Sequence, residues 1–153
     1  MVCGKNLIHL LESGADQWNA FRGQNPGVVM LNGALLADAQ LAHADLHQAF
    51  LLNSDLQRAN LEGAILESAI MRKTNLRGCY LRSAKIDGAD LFSADLSGAD
   101  LRDASLASTF LRRADLRGAD LSGTDLHQTN LRKARITIDQ AVEFALSFGI
   151  IVE

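Results

Sequence analysis

The residues of this chain whose side chains commonly do chemistry are four histidines, two cysteines and 18 Asp and Glu among 153 residues. His9, His43, His47 and His127 form no HExxH pair, and Cys3 and Cys79 form no CxxC. Neither a glycine-rich phosphate loop nor a nucleophile elbow occurs. Two cysteines make no disulfide framework and suit a reducing compartment. The carboxylates are placed more regularly: Asp45, Asp55, Asp90, Asp95, Asp100, Asp115, Asp120 and Asp125 each stand directly before a leucine. Such regularity argues for a structural duty, the side-chain capping of turns, rather than for an acid–base pair. The expectation is a protein with no catalytic, cofactor-binding or metal-binding residues.

The leucines beside those aspartates explain the regularity. Steps of five from Leu31 to Ile136 meet 22 aliphatic residues: 19 Leu, Ile86, Ile136 and Met71. Two residues before each stands a small one, Ala in 15 cases and otherwise Val29, Ser54, Thr74, Cys79, Thr109, Thr124 or Thr129. A period of five fits neither regular element. On an α-helix five steps of roughly 100° scatter the leucines around the circumference. On a flat strand an odd spacing sends them to alternate faces. The pattern becomes consistent if each pentapeptide is a short extended piece plus a corner, with the large and the small residue both pointing inward. Seven glycines, among them Gly78, Gly98 and Gly118, fall two residues after the leucine. A positive φ there, as in a type II turn, accounts for them, and Asp38, Asn53 and Asp103 in the same register are the next most tolerant types.

The run ADL at 94–96, 99–101, 114–116 and 119–121, with TDL at 124–126, resembles the pentapeptide-repeat proteins, including the cyanobacterial type with a helical N-terminal cap. That resemblance implies an all-β solenoid, a right-handed quadrilateral β-helix, here of about five and a half coils of four pentapeptides each. Stacked about 4.8 Å apart, the coils make His47 and His127 four coils distant, too far to share a metal. Cys79, in the small inward register, is expected in the core.

A stacked coil needs lids at both ends. Residues 1–27 are expected to form a helical cap, 28–136 the β-helix, and 137–153 a capping helix and tail. Gly14 separates two N-terminal helices. Asp16 is expected to N-cap the second, Trp18 to plug the first coil, and Pro26 to follow its end. Thr137 and Gln140 have capping-box spacing. Ile138, Ala141, Val142, Ala145 and Leu146 should then cover the last coil, and residues 150–153 are a candidate edge strand. Phe144 and Phe148 are candidates for self-association, which the resemblance places at the C-terminal end.

What remains for function is the outer wall. Charge is balanced, 15 Lys and Arg against 18 Asp and Glu, which argues against a surface given over to nucleic acid or to its imitation. The side built on Leu31, Leu51, Met71, Leu91, Leu111 and Leu131 differs from the rest. Its upper half carries Met30, Phe50, Leu52 and Ile70, which the N-terminal helices are expected to fold over. Its lower half gathers Arg72, Lys73, Phe92, Phe110, Arg112, Arg113, Arg132 and Lys133, the candidate partner surface. Three functions follow as expectations: a cytoplasmic, non-catalytic scaffold or regulator that binds a protein; a DNA mimic directed at a type II topoisomerase such as gyrase, which the resemblance offers; and polyanion or nucleic-acid binding on the basic side. Neither a signal peptide nor an apolar run long enough to cross a membrane is read from the sequence.

Overall fold

The computed structural model describes residues 2–3, 5–124, 126 and 128–147. Its elements are β1 (Val2–Cys3), α1 (Lys5–Glu12), α2 (Ala15–Gln24), β2 (Val29–Met30) and α3 (Ile138–Ser147). Between β2 and α3 the chain forms single-residue parallel bridges at intervals of 20 residues. Four ladders result: Met30–Phe50–Ile70–Asp90–Phe110–Asn130, then Leu35 to Arg135, Gln40 to Asp120 and Asp45 to Ser105. Each ladder is one side of a four-sided coil. The structural unit is therefore a bridge and a corner rather than a continuous strand.

Three backbone hydrogen bonds per pentapeptide join neighbouring coils. Leu36 N–H donates to the Asp55 carbonyl at 2.7 Å, Asp38 N–H to Gln57 at 2.9 Å, and Asp55 N–H to Ala34 at 2.9 Å. A fourth bond closes the corner within the coil, Ala39 N–H to the Leu36 carbonyl at 3.2 Å. This corner has a positive φ at its third residue. Gly78, Gly98 and Gly118 adopt it at 64°, 68° and 70°, and so do Arg58, Lys73, Arg113 and Lys133 at 57–63°. The turn therefore imposes left-handed backbone even on residues that strain to adopt it. At Arg58, Lys73, Gly78, Gly98 and Arg113 the inter-coil bond made by the residue's N–H holds it there.

Inside, the inward-register leucines from Leu31 to Leu116 and the alanines beside them, Ala39 excepted, are sealed from solvent. Where the small residue is polar, Thr124 excepted, its side chain reaches a leucine-register carbonyl 23 residues earlier. Ser54 donates to Leu31, Thr74 to Leu51, Cys79 to Leu56 and Thr109 to Ile86. Burial pushes the Cys79 thiol up to about 12, so it is an inert core group, as expected. The aspartates before the leucines also do what their spacing suggests. Asp55, Asp95 and Asp120 accept the N–H two residues on, at 2.9–3.1 Å. At Leu52 and Ala107, where Phe50 and Ser105 replace the aspartate, Asn32 and Asp87 of the preceding coil supply the acceptor.

The N-terminal lid replaces a missing coil with side chains. Trp18 is fully buried and its indole N–H donates to the Asp45 carbonyl at 2.6 Å. Asn19 accepts Asp45 N–H and donates to the His43 carbonyl, while Arg22 donates to His47. On the next side β1 pairs parallel with β2, Val2 opposite Val29 and Cys3 opposite Met30. This strand is absent from the sequence reading, because two residues are too few to show alternation. One expectation needs correction. Gly14, not Asp16, is the N-cap of α2, and Asp16 lies in its first turn. The hydrogen bonds of α2 to the column run to the end of the coil at residues 43–47, while Met30, Phe50 and Ile70 on the neighbouring wall are half-buried. The orphan edge groups there need donors and acceptors, which an apolar wall does not. Leu52 stays 36 % exposed.

At the other end Thr137 and Gln140 form the expected capping box, Thr137 N–H donating to Gln140 Oε1 at 2.8 Å and Gln140 N–H to Thr137 Oγ1 at 3.2 Å. Gln140 also donates to the Leu116 and Ala119 carbonyls. The expected apolar stripe does not cover the coil: Ile138 is 83 % and Leu146 59 % exposed, and Ala141 is exposed too, while Val142 and Ala145 are half-buried. The need to satisfy the last carbonyls turns the Gln140 face inward and the aliphatic face out. Phe144 is half-buried, and Phe148 and residues 150–153 lie outside the described residues. No described helix is long and apolar enough to cross a membrane.

Two stability measurements follow. Leu96→Ala, at a position 1 % exposed, should cost about 2–5 kcal/mol in urea denaturation; a change within about 0.5 kcal/mol is what a surface residue gives. Ser83→Gly, at an exposed corner with φ 55°, should stabilise by about 0.5–1 kcal/mol, the left-handed strain relieved less the glycine entropy. A loss of stability would show that the corner carries no strain.

Candidate interaction surface

The side that carries Leu31, Leu51, Met71, Leu91, Leu111 and Leu131 exposes three positions per coil: the residue before the leucine and the two after it. The first forms the ladder Met30, Phe50, Ile70, Asp90, Phe110, Asn130. The next two supply the cations, Arg72 and Lys73, Arg112 and Arg113, Arg132 and Lys133, all exposed. Stacking brings this set, scattered over some 60 residues of sequence, into one strip with about 4.8 Å between neighbouring coils. All eight candidate partner residues therefore share a wall.

Their geometry is that of an aromatic groove framed by arginine. Phe92 is half-buried because two guanidinium groups lie over its ring, Arg112 at 5.9 Å and Arg113 at 5.8 Å from the centroid. Such contacts are worth about 0.5–1 kcal/mol at exposed sites. Phe110, one coil below Asp90, is half exposed. Arg72, Asp90, Phe92, Phe110, Arg112 and Asn130 line an open groove of about 420 Å³. Asp90 is engaged within it, accepting Arg72 Nε–H at 2.6 Å and Phe92 N–H at 3.1 Å.

Charge pairing separates this wall from the other three. Arg58 is paired with Asp38, Arg82 with Asp103, Arg102 with Asp100, and Arg117 and Arg135 with Asp115. The hydrogen bonds from Arg102 and Arg117 hold the Asp100 and Asp115 carboxyls below the usual carboxylate range. On the candidate wall six cations face a single carboxylate, Asp90. Among the described residues Lys73, Arg112, Arg113, Arg132 and Lys133 make no ion pair. The repeat region carries 13 acidic and 13 basic residues, so the excess of five here is balanced by acid on other sides. Total charge conceals this polarity; sorting the residues by coil side reveals it.

The remaining chemically capable residues stay apart. His43 lies against Gly63, and His47 approaches Glu67 at 3.9 Å. His9 is an exposed residue of α1, and His127 lies outside the described residues. Among the described residues no three of His, Cys, Asp and Glu come together as a metal site.

A four-sided parallel coil with a filled bore, turn-bound aspartates and a sided outer surface is a solenoid of the kind used for binding. The chain belongs to the pentapeptide-repeat family: the model of pentapeptide repeats matches it in eight copies, over residues 34–72, 66–98 and 94–132. Members of this family form right-handed quadrilateral β-helices and are generally non-enzymatic. No curated protein matches the sequence. Among solved structures the chain is similar to Rfr23, a pentapeptide-repeat protein of the cyanobacterium Cyanothece 51142. That likeness has 27 % identity over 79 % of this chain and 95 % of the other, with a TM-score of 0.61. QnrB1, a plasmid-mediated fluoroquinolone resistance protein, shares the fold at 18 % identity, covering 82 % of this chain and 66 % of that one, with a TM-score of 0.57.

Proposed function

We propose that the protein is a cytoplasmic, non-catalytic interaction scaffold or regulator. In this reading the right-handed β-helix of about five and a half coils, capped by short helices, presents the wall around Phe92, Phe110, Arg112 and Arg113 to a protein partner. The observation that supports it most is the concentration of unpaired cations beside exposed aromatic surface on one side of a column whose other arginines are largely neutralised. An ion pair at a rim steers association and selects the partner by charge, and exposed rings supply contact area. Direct nucleic-acid binding on the same wall is disfavoured by its apolar upper half. Imitation of DNA has still less support, because duplex DNA presents one negative charge per about 1.7 Å and the repeat region is neutral.

The C-terminal end supports a second contact, with another copy of this chain. Leu121, Leu126 and Leu131 are half-buried where the column ends, and α3 turns Ile138 and Leu146 to solvent beside them. Phe144 belongs to the same end, as does the sequence position of Phe148.

Two experiments test these readings. A pull-down from native cytoplasm with the wild-type protein should retain a partner that Arg112→Glu/Arg113→Glu loses, the fold of the variant being checked by circular dichroism. Equal capture by both refutes the wall. Sedimentation should give a dimer that Leu146→Glu converts to monomer; a wild-type monomer at all concentrations refutes self-association.

A further inference from the structure

The repeat contains its own template for what Arg112 binds. Arg117 and Arg102, each directly after an inward leucine, rest on the carboxylate two residues before them. Asp115 accepts the Arg117 N–H at 3.2 Å, Nε–H at 2.8 Å and Nη2–H at 2.6 Å. Asp100 serves Arg102 with the same three distances. This is a bidentate fork plus a backbone donor, the strongest carboxylate geometry that one arginine offers. Elsewhere in this register substitutes appear: Asp90 serves Arg72, Asp103 lies 3.6 Å from Arg82, and Asn75 and Asn130 accept the N–H of Arg77 and Arg132.

Arg112 has the same register and an exposed side chain, but the residue two before it is Phe110. Among the described residues neither its N–H nor its guanidinium has an acceptor, and the guanidinium leans over Phe92. We infer that Arg112 is a carboxylate-recognition subsite, which takes an aspartate or glutamate side chain from an acidic segment of a partner protein into the groove between Phe92 and Phe110. This rests on the wall reading and names the chemistry of the partner. The incoming carboxylate meets the donor set that Asp115 finds at Arg117, and Arg113, Arg132 and Lys133 attract the rest of an acidic segment. Guanidinium forks bind phosphate as well. Here, however, the groove also holds Asp90 and an exposed phenyl ring, and the wall above it is Phe50, Leu52 and Ile70. A protein segment with apolar residues beside its acidic ones matches that surface, and a phosphodiester backbone does not.

The test is a titration of the ¹⁵N-labelled full-length chain, followed by NMR, with poly-L-glutamate and with oligothymidylate at equal charge. With poly-L-glutamate the Arg112 backbone and Nε–H resonances should shift most. Phe110→Asp, which supplies the carboxylate internally as Asp115 does for Arg117, should weaken binding about tenfold, the factor for losing one charge-assisted hydrogen bond. Phe110→Leu, which removes the ring without supplying a carboxylate, should weaken it less than Phe110→Asp does. If Phe110→Asp does not fold, Arg112→Lys keeps the charge without the fork and should weaken binding equally. Shifts spread evenly over Lys73, Arg112, Arg132 and Lys133 and indifferent to Phe110→Asp would overturn the subsite, as would tighter binding of oligothymidylate. Should the partner retained in the pull-down be lost on Arg112→Glu/Arg113→Glu yet bind Phe110→Asp normally, the subsite fails while the wall stands. Should capture ignore Arg112 while the titration behaves as described, the wall reading fails by itself.

Discussion

Closing the chain on itself every 20 residues forces two inward side chains per pentapeptide into a bore shared by four sides, and the rest of the molecule follows from that confinement. Only a large aliphatic group paired with a small one fills it without overpacking, which typically costs about 1–3 kcal/mol. The corner that separates successive pairs requires left-handed backbone, so Gly98 and Arg113 take up the same φ region although only one of them does so without strain. Polar residues enter the bore only where a carbonyl is within reach, as at Ser54, Thr74 and Cys79.

The same confinement determines what the ends must do. A column of parallel bridges terminates in backbone groups that the next coil would have satisfied, and burying them unpaired is costly. Trp18, Asn19 and Arg22 serve those groups at one end and Gln140 at the other. Polar demand therefore orients the caps together with apolar coverage, which Leu7, Leu11 and Trp18 supply at the first coil. At the last coil polar demand turns the aliphatic face of α3 outward.

With the interior committed to one repeating pattern, the outer positions are free to differ from side to side. Where aspartate precedes the leucine it serves the turn and also neutralises a neighbouring arginine. Where Phe110 replaces it the wall loses both functions. On the side of Phe110 that loss coincides with Arg112, Arg113, Arg132 and Lys133, leaving cations beside an exposed ring. The aspartates of the repeat are thus structural, and the replacement of one by Phe110 leaves Arg112 without an acceptor among the described residues.

The period of five, the inward leucines and alanines, the positive-φ corner and the capping box at Thr137 were all legible in the sequence, because each is a local pattern repeated or spaced within a few residues. The grouping of Phe92 with Arg112 and Arg113 was legible as well, once residues were sorted at intervals of 20. Their contact, and the lack of an acceptor at Arg112, required the folded coil, since pairing across coils depends on which carboxylate each arginine reaches. The short strand at Val2–Cys3, the seating of α2 on residues 43–47 and the outward face of α3 were decided by tertiary structure alone. Each answers an unsatisfied backbone group at a coil edge, and such a group exists only after distant pentapeptides have stacked.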